Sequence, residues 1–467
     1  MHELRPNTCL RSNEMKGVYS SADALLGRSS QQSLFTDNTY GVDSGGDPVD
    51  IPNLSFEQFR DFHTKFYHPS NSRIFFAGDD DVYRRLELMD EYLNAFDASD
   101  DYKKESEIPY QKKNMKEPIR VVESYPAGAD QPATHMFTLN WLINDEPLPT
   151  TEELTLEVMD HLLLGTTSST LRKALMESGL GEAVTGGGLS NQLLQSTFSV
   201  GLKGVAPDDM EKAEKLVMDS LEKIAAEGFT DEDIESSLNT IEFQMREFNT
   251  GSFPRYLSFG LAANTKWLYG GSPSTGLRFE EPLAELKAMI AKSGSGVFTD
   301  RIKALLLDNA HRSFVELKPS RTLEEEIVKE EQERLSKIKS QLSDEKLEEI
   351  VAETAELKKL QATEDSAEDR STIPQLELKD LKRESTEYPI EVGENENGSG
   401  ITVVKHKLGS TSGIAYISLA LDLSRLSLDE APLLPLFTQM LTETGAGEYD
   451  SVALSQRIGT SLQFGPA

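Results

Sequence analysis

The sequence predicts an α+β fold: an antiparallel sheet with helices on one face, formed in the middle of the chain, begun again near its end, and connected by a helical hairpin. Three observations carry this. Between Ile119 and Ile224 the hydrophobic pattern runs strand, helix, helix, strand, strand, helix, an order that segregates helices to one face of a largely antiparallel sheet. From Arg321 to Leu360 charge is dense and the sparse apolar residues are helically spaced, which fits two solvated helices sharing one thin seam. The run from Leu421 to Gly445 repeats the strand-then-amphipathic-helix order of Leu139 to Gly165, so one module occurs twice.

In chain order, Glu14, Met15 and Val18, followed by Leu25 and Leu26, have helical spacing, with Ser20 or Ser21 placed as an N-cap. Ser44-Gly45-Gly46-Asp47 is a flexible turn, since it lacks both the Lys and the strand-to-helix setting of a phosphate-binding loop. Leu54, Phe56, Phe59, Phe62 and His63 mark an amphipathic helix opened by Ser55. Arg73 to Ala77 reads as a short apolar strand ending at Gly78, and Tyr83 to Phe96 as a further helix. The charged connector Ser99 to Glu107 closes this first segment.

Strands are expected at Ile119 to Val122 and His135 to Trp141. A helix from Thr151 carries Leu154, Val158, Leu162 and Leu163 on one face and stops at Gly165, and another runs from Ser169 to Gly179. Strands at Glu182 to Leu189 and Thr197 to Lys203 precede a helix from Asp208 through Ile224. The run Gly186, Gly187, Gly188 leaves a strand edge open to close backbone approach. The charged helices meet at Ser343-Asp344, strands resume at Ile401 to His406 and Ile414 to Leu423, and a helix from Ala431 to Thr444 stops at Gly445. The expected segments are residues 1–105, 106–320, 321–383 and 384–467, in keeping with roughly 100 to 200 residues per domain.

A composition of 37% apolar and 27% charged residues suits globular domains with long solvated helices rather than a disordered chain. No apolar run approaches the roughly 20 residues that a membrane span needs. The single cysteine, Cys9, excludes an intrachain disulfide and a cysteine-based zinc cluster. A net charge of -32 argues against nucleic acid and would concentrate basic ligands such as Arg-rich peptides, or serve solubility alone. None of the seven histidines, His2, His63, His68, His135, His161, His311 and His406, starts an H-x-x-E-H or H-E-x-x-H motif. His63 and His68, five apart and followed by Pro69, fall on different helical faces and read as a structural helix and turn.

Several stretches, taken together, carry a resemblance. They are Asn13-Glu14-Met15-Lys16-Gly17-Val18-Tyr19, Asn38 to Pro48, Ile51-Pro52-Asn53-Leu54-Ser55-Phe56, Phe66-Tyr67-His68-Pro69-Ser70-Asn71, Gly78-Asp79-Asp80-Asp81, Asn249 to Arg255 and Ser258-Phe259-Gly260. In this order and spacing the chain resembles the pitrilysin-type zinc metallopeptidases, specifically their presequence protease branch. The resemblance implies repeated pitrilysin-type modules: the latter part of a zinc-binding domain, a second noncatalytic domain, a helical linker, and the start of a third domain. It places Glu14 as the third protein ligand of a catalytic zinc. The two histidines and the general base of that site belong to an H-x-x-E-H motif which this chain lacks. It makes Gly186, Gly187 and Gly188 a candidate edge for holding a peptide by β-addition, against the alternative of a plain hairpin.

The activity implied is that of a zinc metalloendopeptidase degrading cleaved targeting peptides and other short unstructured, often basic peptides, monomeric in its full-length form, in the mitochondrial matrix or chloroplast stroma. Residues 1–11 lack the alternating apolar strand that the family places before its Asn-Glu element, so the chain is expected to begin inside a larger protein and to be inactive alone. The alternative is a noncatalytic peptide-binding or interaction subunit.

Overall fold

A computed structural model describes residues 13–128, 134–385, 387–394, 401–407, 409 and 411–461; Cys9 and His2 lie outside them. The chain forms two compact units, residues 1–332 with 426–467, and residues 333–425.

The first unit is built on five strands: β1 (Ile119–Pro126), β2 (His135–Leu142), β3 (Ala183–Ser190), β4 (Thr197–Val205) and β5 (Arg312–Ser320), in the order β1-β5-β2-β4-β3. The pairings from β5 through β2 and β4 to β3 are antiparallel, but β1 and β5 run parallel, Ile119 opposite Ser313 through Pro126 opposite Ser320. The sheet is therefore mixed, not antiparallel throughout. The reason is β5, which returns after a long helical excursion and inserts between β1 and β2.

The helices are α1 (residues 13–19), α2 (Ala22–Leu34), α3 (Phe56–Phe66), α4 (Val82–Leu93), α5 (Asp100–Glu105), α6 (Thr150–Asp160), α7 (Thr170–Glu177), α8 (Met210–Glu227), α9 (Asp231–Glu247), α10 (Arg255–Trp267), α11 (Glu280–Ser293) and α12 (Gly296–Arg301). Local rules explain their starts. Ser21 caps α2 by accepting from the Ala24 N–H, and Ser55 forms a reciprocal capping box with Gln58 at α3. Each of α6 and α12 runs on into a π turn, His161–Gly165 and Ile302–Leu307.

The period of two in β2 sets the layers. Phe137, Leu139 and Trp141 face α6, α7, α8, α11 and α12 in the main core, together with Phe198, Val200 and Leu202 of β4. The Trp141 indole N–H donates to the Leu306 carbonyl at 2.8 Å. The alternate residues face α2. Met136 packs with Leu26, Val315 and Leu317, and Leu142 with Leu34 and Phe35. Hydroxyls bridge the same layer: Ser30 to Thr138 at 2.8 Å and Ser33 to Ser313 at 2.6 Å. Helices thus cover both faces, not one. A central strand buried on both sides needs a second cover, and a helix from the first segment supplies it.

Two expected strands do not form. Residues 73–77 are extended without a ladder partner among the described residues, leaving Ile74, Phe75 and Phe76 exposed. Residues 414–423 are likewise unpaired, with Ile417 87% and Leu419 81% exposed. A strand is held by its neighbours, and apolar alternation alone does not create one.

Two charged helices, α13 (Leu323–Ser340) and α14 (Asp344–Ala362), form where the sequence places them, and Ser343 caps α14. Their apolar residues, including Leu335, Ile338 and Val351, stay exposed, so the expected seam is not closed. The second unit also holds α15 (Ala367–Ser371) and the antiparallel pair β6 (Ile390–Glu394) and β7 (Thr402–His406). In the first unit, α16 (Leu434–Glu443) precedes α17 (Ser451–Ser461), which lies against α9 with Gln456 donating to Asp233 at 2.6 Å. No helix among the described residues is long and apolar enough to cross a membrane.

Phe137→Ala is expected to lower the unfolding free energy of the first unit by about 3 to 5 kcal/mol. Phe62→Ala, at a side chain 58% exposed, is expected to change it by no more than about 0.5 kcal/mol. Urea titrations followed by tryptophan emission measure both, and equal losses would contradict this placement of the core.

Candidate functional site

β3 is an edge strand, paired with β4 on one side only among the described residues. Its three glycines interrupt the ladder. Thr185 lies opposite Gly201, but the next pair is Gly188 opposite Ser199, so Gly186 and Gly187 form a bulge. Gly186 and Gly188 have φ of +79° and +65°, where side chains other than glycine are strained. A Cβ at Gly186 would lie 2.5 Å from the Ser199 carbonyl oxygen, and one at Gly188 would lie 2.1 Å from Asp160 Oδ1. Gly187 differs: a Cβ there meets nothing within 4 Å.

Two carboxylates of α6 hold the far end of the bulge. The Leu189 N–H donates to Asp160 Oδ1 at 3.0 Å, and the Asn191 amide donates to Glu157 Oε1 at 2.7 Å. Burial pushes the Asp160 carboxyl up to about 6, opposed by the Leu189 hydrogen bond and reinforced by Glu157. Burial also raises Glu157, and the Asn191 hydrogen bond opposes it. The neighbouring His161 is pushed down by burial, and its Nδ1 lies 3.0 Å from the Ser237 hydroxyl.

Beside the bulge a cleft of about 430 Å³ separates β3 from α2. Its floor includes Thr138, Asn140 and Ser199, and its walls include Ser30 of α2 and Gly186 and Gly187. The Asn140 amide nitrogen donates to Thr138 and Ser313, while its Oδ1 is buried with no hydrogen-bond partner. Chemically, an open strand edge beside a cleft can receive an extended backbone through main-chain hydrogen bonds.

Glu14 sits elsewhere, exposed on α1. That helix is anchored by buried Met15, by an ion pair of 2.6 Å between Lys16 and Glu331, and by the Tyr19 hydroxyl donating to Asp43 at 3.1 Å. The glycine-rich turn packs against it: a Cβ at Gly45 would meet the Met15 sulfur at 2.4 Å. No group of three His, Cys, Asp or Glu residues able to hold a metal ion exists among the described residues. The donor set around Glu14 thus does not fit zinc, and no reaction step is derived through a metal.

The histidines have structural surroundings. His68 accepts from the Ser70 N–H and packs edge-on to Phe96, His63 stacks on Tyr67, His135 contacts Glu316 at 2.7 Å, and His311 Nε2 bonds the Leu34 carbonyl. Sequence reasoning found the glycine run but missed Glu157 and Asp160. The available signal was an acid inside the run Val158-Met159-Asp160-His161-Leu162-Leu163, which is otherwise that of a buried helix.

Residues 53–241 match the family described as Peptidase M16 inactive domain, and residues 317–462 match the associated family of peptidase M16 subfamily C. The chain is 47% identical over 452 residues to presequence protease 1, chloroplastic/mitochondrial, of Arabidopsis thaliana, covering 96% of this chain and 41% of that protein. It is 36% identical to Protein HypA of Clostridium perfringens over 97% of this chain and 46% of that protein. Against the mitochondrial presequence protease of Mus musculus it is 28% identical, over 96% of this chain and 42% of that protein. The chain thus spans less than half the length of each of these relatives. Among solved structures, a peptidase M16 inactive domain from Pseudomonas fluorescens aligns with a TM-score of 0.51 at 16% identity, over 68% of this chain and 70% of that one. A protease from Helicobacter pylori aligns with a TM-score of 0.52 at 16% identity, over 68% and 72%. These two share the fold.

The raised Asp160 carboxyl has a consequence for stability. The folded chain binds its proton more tightly than the unfolded chain, whose Asp titrates near 3.9, so this stabilising contribution is full below about pH 4 and is lost as pH rises through about 6. Asp160→Asn keeps an oxygen to accept from Leu189 and removes the charge. It is expected to raise the thermal midpoint by about 2 to 4 °C at about pH 8 and by less at about pH 5.5. Calorimetry at the two pH values checks this, and an equal shift at both contradicts it.

Proposed function

We propose, for a chain that is a homologue of the presequence proteases, that it forms the peptide-holding part of a zinc metalloendopeptidase and is inactive by itself. Its substrates are cleaved targeting peptides and other short unstructured peptides, often basic, in a mitochondrial matrix or chloroplast stroma, and the full-length enzyme acts as a monomer. The observation that carries the reading is the bulged free edge of β3 beside its cleft. Main-chain pairing there would hold an extended peptide of almost any sequence, which suits an enzyme that removes varied peptides. The net charge of -32 favours encounter with basic ones.

In this reading Glu14 contributes one carboxylate of the zinc site, and the remaining ligands and the base come from residues beyond this chain. The segments 1–105, 106–320, 321–383 and 384–467 correspond to the latter part of the zinc domain, the noncatalytic domain, the linker and the start of a third, repeated module. A second reading, a noncatalytic peptide-binding subunit, draws support from the match of residues 53–241 to a family described as an inactive domain.

Gly187 offers a clean test, because the space around its Cβ position is open. Gly187→Val is expected to leave the thermal midpoint within about 1 °C of the native chain and to weaken binding of an unstructured basic peptide about tenfold, as a lost strand contact of roughly 1.4 kcal/mol would. Fluorescence anisotropy with a labelled peptide reads the affinity. Unchanged affinity would remove the edge from the site.

The isolated chain is further expected to retain no zinc after dialysis and to leave the same peptide intact. Stoichiometric zinc together with cleavage would overturn its assignment as an inactive part. Cleavage restored by adding the complementary part of a full-length relative would select the enzyme reading over the noncatalytic subunit.

A further inference from the structure

We propose that Asp160 is a positioning residue for the edge of β3: its carboxylate, seated in the notch left by Gly188 and bonded to the Leu189 N–H, clasps the bulge in the shape that receives a peptide. This rests on the reading of that edge as the peptide-holding site.

The geometry comes from both partners. Gly188 has no Cβ, and its backbone turns through positive φ, so Asp160 Oδ1 can approach to where a side chain would otherwise stand. From that position the same oxygen accepts from Leu189 at 3.0 Å. One turn earlier on α6, Glu157 fastens the residue after the strand through Asn191. Two carboxylates on one helix face thus hold β3 from Gly188 to Asn191, immediately beyond the two unpaired glycines. The bulge is free on its outer edge and fixed at its far end, which is what a receiving edge needs: open hydrogen-bonding groups in a preset shape.

The clasp is a charged one. A carboxylate accepting a backbone N–H makes a bond roughly twice as strong as a neutral acceptor does. The groups facing Asp160 are few. Glu157 lies on its own helix and adds negative charge. Lys266 of α10 is engaged by Glu153, and His161, next in the chain, turns to Ser237 of α9. From β3 it meets backbone and Gly188. With burial raising its carboxyl into the mildly acidic range, Asp160 loses its charge at a pH where most other carboxylates of the chain keep theirs. Acidification to about pH 5 therefore loosens this bond first.

The test uses the full 467-residue chain. Hydrogen exchange at Leu189, corrected for the intrinsic pH dependence of exchange, is expected to lose about fivefold in protection between about pH 8 and about pH 5, equivalent to roughly 1 kcal/mol. In Asp160→Asn the protection is expected to be low and flat with pH. Gly188→Ala, which pushes the carboxylate out from the other side, is expected to reproduce that loss. The binding probe is an acetylated unstructured peptide with arginine as its only ionisable side chain, so its own charge stays constant. Its affinity is expected to fall with pH in the native chain in step with Leu189 protection, and to be weak and pH-independent in Asp160→Asn.

If Gly187→Val weakens peptide binding while Asp160→Asn leaves both protection and affinity as in the native chain, the positioning role is overturned and the edge reading survives. If protection responds as expected but affinity ignores both Gly187 and Asp160, the edge reading fails and the role of Asp160 in positioning peptide fails with it. Protection and affinity falling together supports the clasp.

Discussion

The structure depends on β2 being buried on both of its faces. A strand with one wet face would need one layer of helices, but β2 presents Phe137, Leu139 and Trp141 to one side and Met136, Thr138, Asn140 and Leu142 to the other, all of them buried. Two covers are then obligatory, and they come from different parts of the chain: α6 to α12 follow β2 in sequence, whereas α2 precedes β1. The second cover is partly polar. Ser30, Ser33, Thr138 and Ser313 meet through hydroxyls, which satisfy each other's hydrogen bonds and also fix where along the sheet α2 sits, because hydroxyl pairs are directional where methyl contacts are not. That placement opens the cleft between α2 and β3.

The placement also explains why the candidate site has two separate parts. α2 follows directly from α1, so the helix carrying Glu14 is tied to the sheet that carries the glycine bulge without meeting it. Met15, Lys16 and Tyr19 spend their contacts on anchoring α1, and Glu14 faces outward. A carboxylate displayed in this way is poised to be one member of a larger set. The bulge, by contrast, is complete: its conformation, its open edge and its supporting carboxylates all belong to one contiguous module.

What could be read from the sequence follows the range of the interactions involved. Ser21, Ser55 and Ser343 cap helices through partners two or three residues away, so their roles are visible in a short window. The alternation of β2, β3 and β4 and the long amphipathic helices were legible for the same reason. β5 and its parallel pairing with β1 were not, because the partners are almost two hundred residues apart and nothing local fixes direction. Residues 73–77 and 414–423 mislead in the opposite sense: they have the composition of strands and lack the neighbours. The glycine run announced an unusual strand, but the carboxylates that shape it were hidden, since an acid is rarely expected on the apolar face of a helix. Only the fold shows that Asp160 and Glu157 meet backbone and amide donors there.

The uncovered apolar segments decide how the chain behaves at concentration. Ile417, Leu419 and Leu421 form an extended stretch with unpaired backbone, and Ile74, Phe75 and Phe76 form another, each a template on which a second molecule can add a strand. Opposing this is the repulsion between chains that each carry a net charge of -32. That repulsion acts over about 10 Å in 0.1 M salt and shortens as salt rises. Colloidal stability therefore rests on ionic strength more than on folding: dilute buffer keeps molecules apart, and concentrated salt, by screening the charge, brings the bare strands of neighbouring molecules within reach of each other.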